Sequence, residues 1–392
     1  MSKLSNVSSY VTEKISVDSI DISEYITTDN LLQNKRGRVI AEKLPTQKVT
    51  KFKQDDILIA NIRPYLKKIW QADIDGGASS DVLVVRPNDV IDNNFLYYAL
   101  TQDSFFEYVM KGSKGTKMPR GDKSQIMNFV IPDLEIGEQI KIGKLLKSID
   151  QKIQTNNQIN QELEAMAKTL YDYWFVQFDF PDQNGKPYKS SGGKMVYHPE
   201  LKREIPEGWG VEKLENVANI TMGQSPKGSS YNETGEGIMF FQGSTDFGWR
   251  FPVARQYTTE PSRIAEEDDI LLSVRAPVGT LNIADTRCCI GRGLAAINSK
   301  VRANSYIFNV MQDFKKLFDM MNSVGTTFGS ITKDDLYSLQ LVYPPTELLM
   351  KFDKSVKSFD KEIKNRSRQN QELTQLRDWL LPMLMNGQVK VE

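Results

Sequence analysis

The tetrapeptide Asn160-Gln161-Glu162-Leu163 recurs as Asn370-Gln371-Glu372-Leu373, and the offset of 210 positions between them returns along the chain. Lys3-Leu4 and Asn6-Val7 come back as Lys213-Leu214 and Asn216-Val217. Gly115-Thr116 comes back as Gly325-Thr326, Lys123 as Lys333, and Ser148 with Asp150 as Ser358 with Asp360. Between these, "DDILIANIRP" (Asp55 to Pro64) matches "DDILLSVRAP" (Asp268 to Pro277) at 213, and Pro132 matches Pro344 at 212. A register that drifts by two or three residues and then recovers is the mark of loop insertions in a duplicated domain. The period is far longer than that of a solenoid, so each copy is expected to be a domain with its own core.

Length and charge limit the partners. A chain of 392 residues has room for two or three domains, each able to bury a core. Lys+Arg and Asp+Glu number 50 each, so there is no global polybasic signature, and any nucleic-acid contact must come from local clustering. The two cysteines, Cys288 and Cys289, are adjacent, which argues against a disulfide framework or a cysteine zinc site. "MSKLSNVSSY" lacks the apolar stretch of a signal peptide and no apolar run reaches membrane-spanning length, so the expectation is cytoplasmic, with no membrane partner.

Each copy has one plan. Short apolar segments and Gly-rich turns ("DILIANI", "DVLVVRP", "DDILLSVRAPVGTL", "CCIGRGLAAI") predict an α/β or mainly β globule. A proline-terminated strand closes it, and a stretch without Gly or Pro follows, roughly Glu138 to Phe180 and Glu347 to Leu381. Leu146, Ile149, Ile153, Asn156, Asn160, Leu163, Ala167, Leu170 and Trp174 alternate steps of four and three. The matching positions are Val356, Phe359, Ile363, Arg366, Asn370, Leu373, Arg377, Leu380 and Leu384. Such steps put one seam on a helix and call for a partner helix. A helix of about 38 residues would be on the order of 57 Å long. A pseudo-twofold relation between the copies predicts antiparallel pairing, with Asn156 near Asn370 and Asn160 near Arg366 as polar layers that select register. The alternative is two amphipathic helices packed on separate cores.

Signals for catalysis are weak throughout. The single histidine, His198, lies in a polar segment, and no G-x-S-x-G elbow is present. "GQSPKGSS" has phosphate-loop spacing, but Ser229 stands where the lysine belongs, leaving a flexible loop that offers Lys227 to a phosphate backbone. Pro181-Asp182 with Glu200-Leu201-Lys202 loosely fits a magnesium nuclease pattern, but across a Gly/Ser/Lys-rich linker with no strand to fix its carboxylates. "YPPT" at Tyr343 has the wrong first residue for an adenine methyltransferase motif.

Positive charge gathers at the end of the first globule. Lys111, Lys114, Lys117, Arg120 and Lys123 fall within "KGSKGTKMPRGDKS", a Gly- and Pro-rich loop suited to closely spaced phosphates. The second copy keeps a Gly-rich loop there ("SVGTTFGSITK") with different chemistry. Arg63 and Arg275 follow equivalent strands, and Arg250, Arg287 and Arg292 lie near turns. Two similar scaffolds with different loops on a stiff spacer describe a reader of two different half-sites.

These residues resemble a known family. "IPEGWGVEKLENVANITMGQSP", "DDILLSVRAPVG", "LYDYWFVQFDF" and "LRDWLLPMLMNGQVKV" are similar to segments of type I restriction–modification specificity subunits, and the two-copy layout extends the resemblance over essentially the whole chain. The first copy lacks the "PEGW" lead-in and begins close to "KLSNV". The resemblance implies an α+β architecture of two α/β target-recognition domains in pseudo-twofold repeat, separated by two long helices that form an antiparallel coiled coil. Its implied boundaries are recognition domains at 1–137 and 207–346, helices at 138–180 and 347–392, and a linker at 181–206.

It further implies a non-catalytic subunit whose domains bind the halves of a split, asymmetric double-stranded DNA target. The helices would act as ruler and as dock for two methyltransferase subunits. No cofactor is expected on this chain. S-adenosylmethionine, ATP and magnesium would belong to those subunits and to separate restriction/translocase subunits. The expected DNA contacts are Arg63, Lys111, Lys114, Lys117, Arg120, Lys123, Lys227, Arg250, Arg275 and Arg292. The aromatic run Tyr171, Tyr173, Trp174, Phe175, Phe178 and Phe180 is expected to anchor the helix end or the methyltransferase rather than to stack bases. The competing reading is a two-headed coiled-coil adaptor without DNA specificity.

Overall fold

A computed structural model of the chain describes residues 1–323 and 330–391. Gly325-Thr326 and most of "SVGTTFGSITK" lie outside the described residues. Two compact units divide the chain, one formed by Met1–Thr155 with Asn370–Glu392 and the other by Asn156–Gln369. Compactness thus assigns part of each long helix to each unit, a division that the linear boundaries do not contain.

The continuous apolar strands have a simple cause. In the first unit, an antiparallel sheet runs in the order Ser8–Tyr10, Val82–Pro87, Ile57–Ala60, Ile69–Gln71. Successive side chains on a strand face opposite ways. Ile57, Ile59, Leu83 and Val85 therefore enter one core with Leu96, Phe105 and Leu146. Leu58, Ala60, Val82 and Val84 enter a second core with Phe52 and Trp70. Both faces are covered, so both must be apolar.

The second unit repeats the solution. Its sheet has the order Ala218–Met222, Leu294–Ser299, Ile270–Ser273, Leu281–Ile283. Ile270 and Leu272 face the core that holds Tyr306 and Phe352, while Leu271 faces Phe241 and Cys288. Each unit also has a second sheet with one parallel pair, Tyr25–Ile26 on Gly76–Ala78 and Ile238–Phe241 on Cys288–Ile290. The duplication reaches backbone detail. Asp55 and Asp268 both open their strand turns with positive φ, 71° and 68°. Leu4–Val7 and Leu214–Val217 are both four-residue helices with Leu and Val buried.

The long helices span Ile136–Tyr171 and Thr346–Met385. None of the seam positions is exposed. In the first unit, Arg377 donates to Asp150 at 2.7 Å and Lys141 to the Val391 carbonyl at 3.3 Å. In the second unit, Asn156 donates to Gln369 at 2.8 Å and Asn160 to Ser367 at 3.3 Å. In both, partner numbers fall as residue numbers rise, so the pairing is antiparallel. Within the polar layer Arg366 donates to Asn156 at 3.1 Å, and Asn160 bonds the hydroxyl of Ser367, the residue next to Arg366. The expectation for Asn370 crosses the boundary between the units.

The first long helix ends earlier than expected. After Tyr171 the chain makes a wider π turn, Asp172–Val176, which places Trp174 and Phe175 in the second unit's core. Phe175 meets Tyr306 and Phe352 with ring centroids 4.8 and 5.0 Å apart. These aromatics anchor a helix end. The segment expected to lack strands contains a hairpin, Met195–His198 with Arg203–Pro206. Phe180 stacks on Tyr188 and Trp209 just before it, at 4.6 and 5.2 Å. Asp182 caps its own turn by accepting from Asn184 and Lys186 at 2.8 Å each, which explains its place without a metal.

Candidate nucleic-acid interface

The candidate residues lie where strands end. In the first unit, the strand Ile57–Ala60 runs into Arg63, whose positive φ of 52° turns the chain into the short Pro64–Leu66 helix. The Arg63 amide donates to the Pro119 carbonyl at 2.8 Å, and the Gly121 amide to the Asn61 carbonyl at 3.1 Å. Lys114 and Arg120 exchange both backbone hydrogen bonds at 2.9 Å. The basic loop is therefore pinned at its base, and it lies beside Arg63. Asp122 accepts from the Ser124 and Gln125 amides, which caps the next helix and holds its carboxyl below the usual range.

The cations on this loop fall into two groups. Lys111, Lys117 and Lys123 are exposed, and among the described residues none of them forms an ion pair. Lys114 reaches Asp122 at 3.4 Å from a highly exposed position. Arg120 instead is held by Asp81 at 3.1 Å.

Sequence reasoning missed a neighbouring basic turn, "NKRGR". The amides of Asn34 and Lys35 donate to the carbonyls of Leu66 and Lys67 at 2.9 Å, bringing exposed Arg36 toward the Arg63 turn. Lys35 and Lys67 share Asp103 at 2.8 and 2.9 Å, which holds that carboxyl low. The Gly and three cations were visible in the sequence. Their neighbours lie some thirty residues away, where no local pattern reaches.

In the second unit, exposed Arg275 follows the strand Ile270–Ser273. The Ser273 hydroxyl fixes this turn, within 2.8 Å of the carbonyls of both Arg275 and Pro277. Beside it lies a recess of about 300 Å³ lined by Ser244, Thr245, Ser273, Arg275 and Gly293, among others. Exposed Arg292 sits between Gly291 and Gly293, and its amide donates to the Ser225 hydroxyl at 3.4 Å. Ser225 also meets the Gln242 side chain at 2.9 Å, and Lys227 stands exposed two residues beyond Ser225.

Glycine lets these segments approach. A Cβ on Gly223 would lie 2.2 Å from the Gly291 carbonyl oxygen, and one on Gly291 would lie 2.9 Å from the Gln242 Cα. Gly223→Ala should therefore destabilise this unit by about 1–3 kcal/mol, because backbone on both sides must move. Urea denaturation followed by tryptophan fluorescence checks it.

Arg250 is a correction. Expected among the DNA contacts, it is buried, with its side chain 8% exposed. It pairs with Glu164 at 3.0 Å and Asp360 at 2.9 Å and lies 3.9 Å over the Phe308 ring. Its Nη1 and Nη2 both donate to internal carboxylates. The duplication explains the arrangement. Asp150, the counterpart of Asp360, accepts from Tyr98 at 2.6 Å and pairs with Arg377 at 2.7 Å. The counterpart of Arg377 is Ala167, and that small side chain leaves the space beside Asp360 to Arg250.

Among the described residues, no group of His, Cys, Asp and Glu is placed to hold a metal ion, and no helix is long and apolar enough to cross a membrane.

Comparison with known proteins returns relatives of one kind. The family model described as "Type I restriction modification DNA specificity domain" matches twice, at residues 10–165 and 206–375. A Methanocaldococcus jannaschii protein named as the MjaX specificity subunit of a type I restriction enzyme is 33% identical over 320 residues, 80% of this chain and 72% of that protein. The HindI specificity subunit of Haemophilus influenzae is 23% identical, covering 98% of each chain. The crystal structure of a type I S subunit from M. genitalium shares the fold with a TM-score of 0.61 at 17% identity, covering 98% of this chain and 95% of that one.

Proposed function

The chain belongs to the type I restriction–modification DNA specificity family, and on that premise we propose that its two domains read the two halves of a split, asymmetric duplex target. One observation carries the reading. Two sheets of identical strand order end in rims of different chemistry, a lysine-rich loop at Lys111–Lys123 and a recess lined by Arg275, Gly243 and Gly293. A shared framework with divergent rims suits one task performed on two sequences.

In this reading residues 1–137 and 207–346 are the recognition domains, and the paired helices set the half-site spacing and dock two methyltransferase subunits. Those subunits carry S-adenosylmethionine and methylate adenine, separate restriction/translocase subunits use ATP and magnesium, and the chain itself catalyses nothing. The setting is cytoplasmic. The complex purified from cells co-expressing the methyltransferase should bind duplex DNA, with affinity falling steeply as salt rises. A complex that forms but binds no DNA at low salt would favour the two-headed adaptor instead.

A further inference from the structure

The two domains correspond at their strand ends through matching hydrogen bonds. The isolated bridge Ile62 to Arg120 in the first matches Arg275 to Ser330 in the second. The Asn61 amide donates to the Asp81 carbonyl at 2.8 Å, and the Val274 amide to the Gly293 carbonyl at 2.9 Å. Asp81 therefore occupies the place of Gly293, and Arg120 that of Ser330. The first domain thus carries an Asp–Arg pair at the positions of Gly293 and Ser330, and Gly293 lines the second domain's recess of about 300 Å³.

We propose that Arg120, held in orientation by Asp81, reads a guanine in the half-site of the first domain, and that this pair is one determinant by which the two half-sites differ. The inference rests on the bipartite reading above and assigns a specific contact within it. A guanidinium that reads the O6 and N7 of guanine must present two N–H groups in a fixed plane, whereas a phosphate accepts a mobile charge from many directions. Arg120 is restrained toward the first requirement at its backbone and at one Nη. Its backbone is bonded on both sides to Lys114, its strand-end neighbour Ile62 bridges to it, and its Nη2 lies 3.1 Å from Asp81 Oδ1. The side chain is still 58% exposed, so the remaining N–H groups of the fork face solvent. Lys111, Lys117 and Lys123 around it are exposed and without an ion pair among the described residues, as phosphate contacts can be. Asp81 is a positioning residue: it acts through its ion pair with Arg120.

The test is methylation mapping in cells that co-express the cognate methyltransferase with the wild-type chain or with R120A, R120K, D81N or K117A. R120A and R120K should each lose a guanine requirement at one position of one half-site, with discrimination falling about tenfold or more and the other half unchanged. R120K keeps the charge, so relaxation there separates the fork from the charge. D81N should relax the same position to a smaller degree. K117A should keep the motif and lower methylation at all sites alike. The proposal is overturned if both Arg120 variants leave the motif unaltered, if they lower methylation uniformly as K117A does, or if the affected half contains no guanine on either strand. Absence of any split motif in the wild-type cells overturns the bipartite reading itself, and the proposal with it.

Discussion

Replacing Arg250 with alanine should destabilise the second unit by about 2–3 kcal/mol while leaving DNA recognition unchanged. Removing one member of a fully buried ion pair costs about 3–5 kcal/mol, because the remaining charge is stranded. Here the Glu164 and Asp360 side chains remain 30% and 33% exposed, which lowers the cost. For a unit of this size the melting temperature should fall by about 5–10 °C, read by scanning calorimetry of the complex. The pH dependence has a definite sign. Burial is the main influence on Asp360 and raises its pKa, with Arg250 opposing. A carboxyl whose folded pKa lies above its unfolded value binds protons more readily when folded, so its effect on stability becomes more favourable as pH falls through that range. Without Arg250 the upward push grows, and the deficit should shrink on acidification. An unchanged melting temperature, or a changed DNA motif, would contradict the assignment of Arg250 as an internal tie.

The opposite signature is expected for the basic loop. Neutralising Lys111, Lys114, Lys117 and Lys123 together should leave stability within about 0.5 kcal/mol, because exposed side chains and one exposed ion pair contribute little. Binding should change substantially. Each phosphate contact removed flattens the dependence of log affinity on log salt by about 0.9, so four together should flatten it by about 3–4. Fluorescence anisotropy of labelled duplex, titrated with the methyltransferase complex at several salt concentrations, measures that slope. A slope equal to the wild type would remove this loop from the interface.

These two cases show what the sequence made legible. The duplication was readable because the same framework contacts recur: Leu4 and Leu214 are both buried, and Asp150 and Asp360 both sit on long helices as acceptors. The heptad seam was readable because its spacing is local. Arg250 was misread because an arginine near a turn looks the same in sequence whether it faces solvent or carboxylates. Only the fold reveals that Ala167 leaves room for it. The Asp81–Arg120 pair escaped for a related reason. Its members are 39 positions apart, and they meet only because Ile62 and Asn61 bind the loop to the strand end. The helix end at Tyr171 was overrun because Trp174 and Phe175 continue the helical spacing, while the π turn is imposed by the core they enter.

The central claim is that one chain reads two separate half-sites. The most direct measurement is the map of methylated adenines in cells that express this chain with its methyltransferase and no other such system. The account predicts one asymmetric motif in two specified blocks separated by a fixed number of unspecified base pairs. A single continuous motif, or methylation without sequence preference, would contradict it.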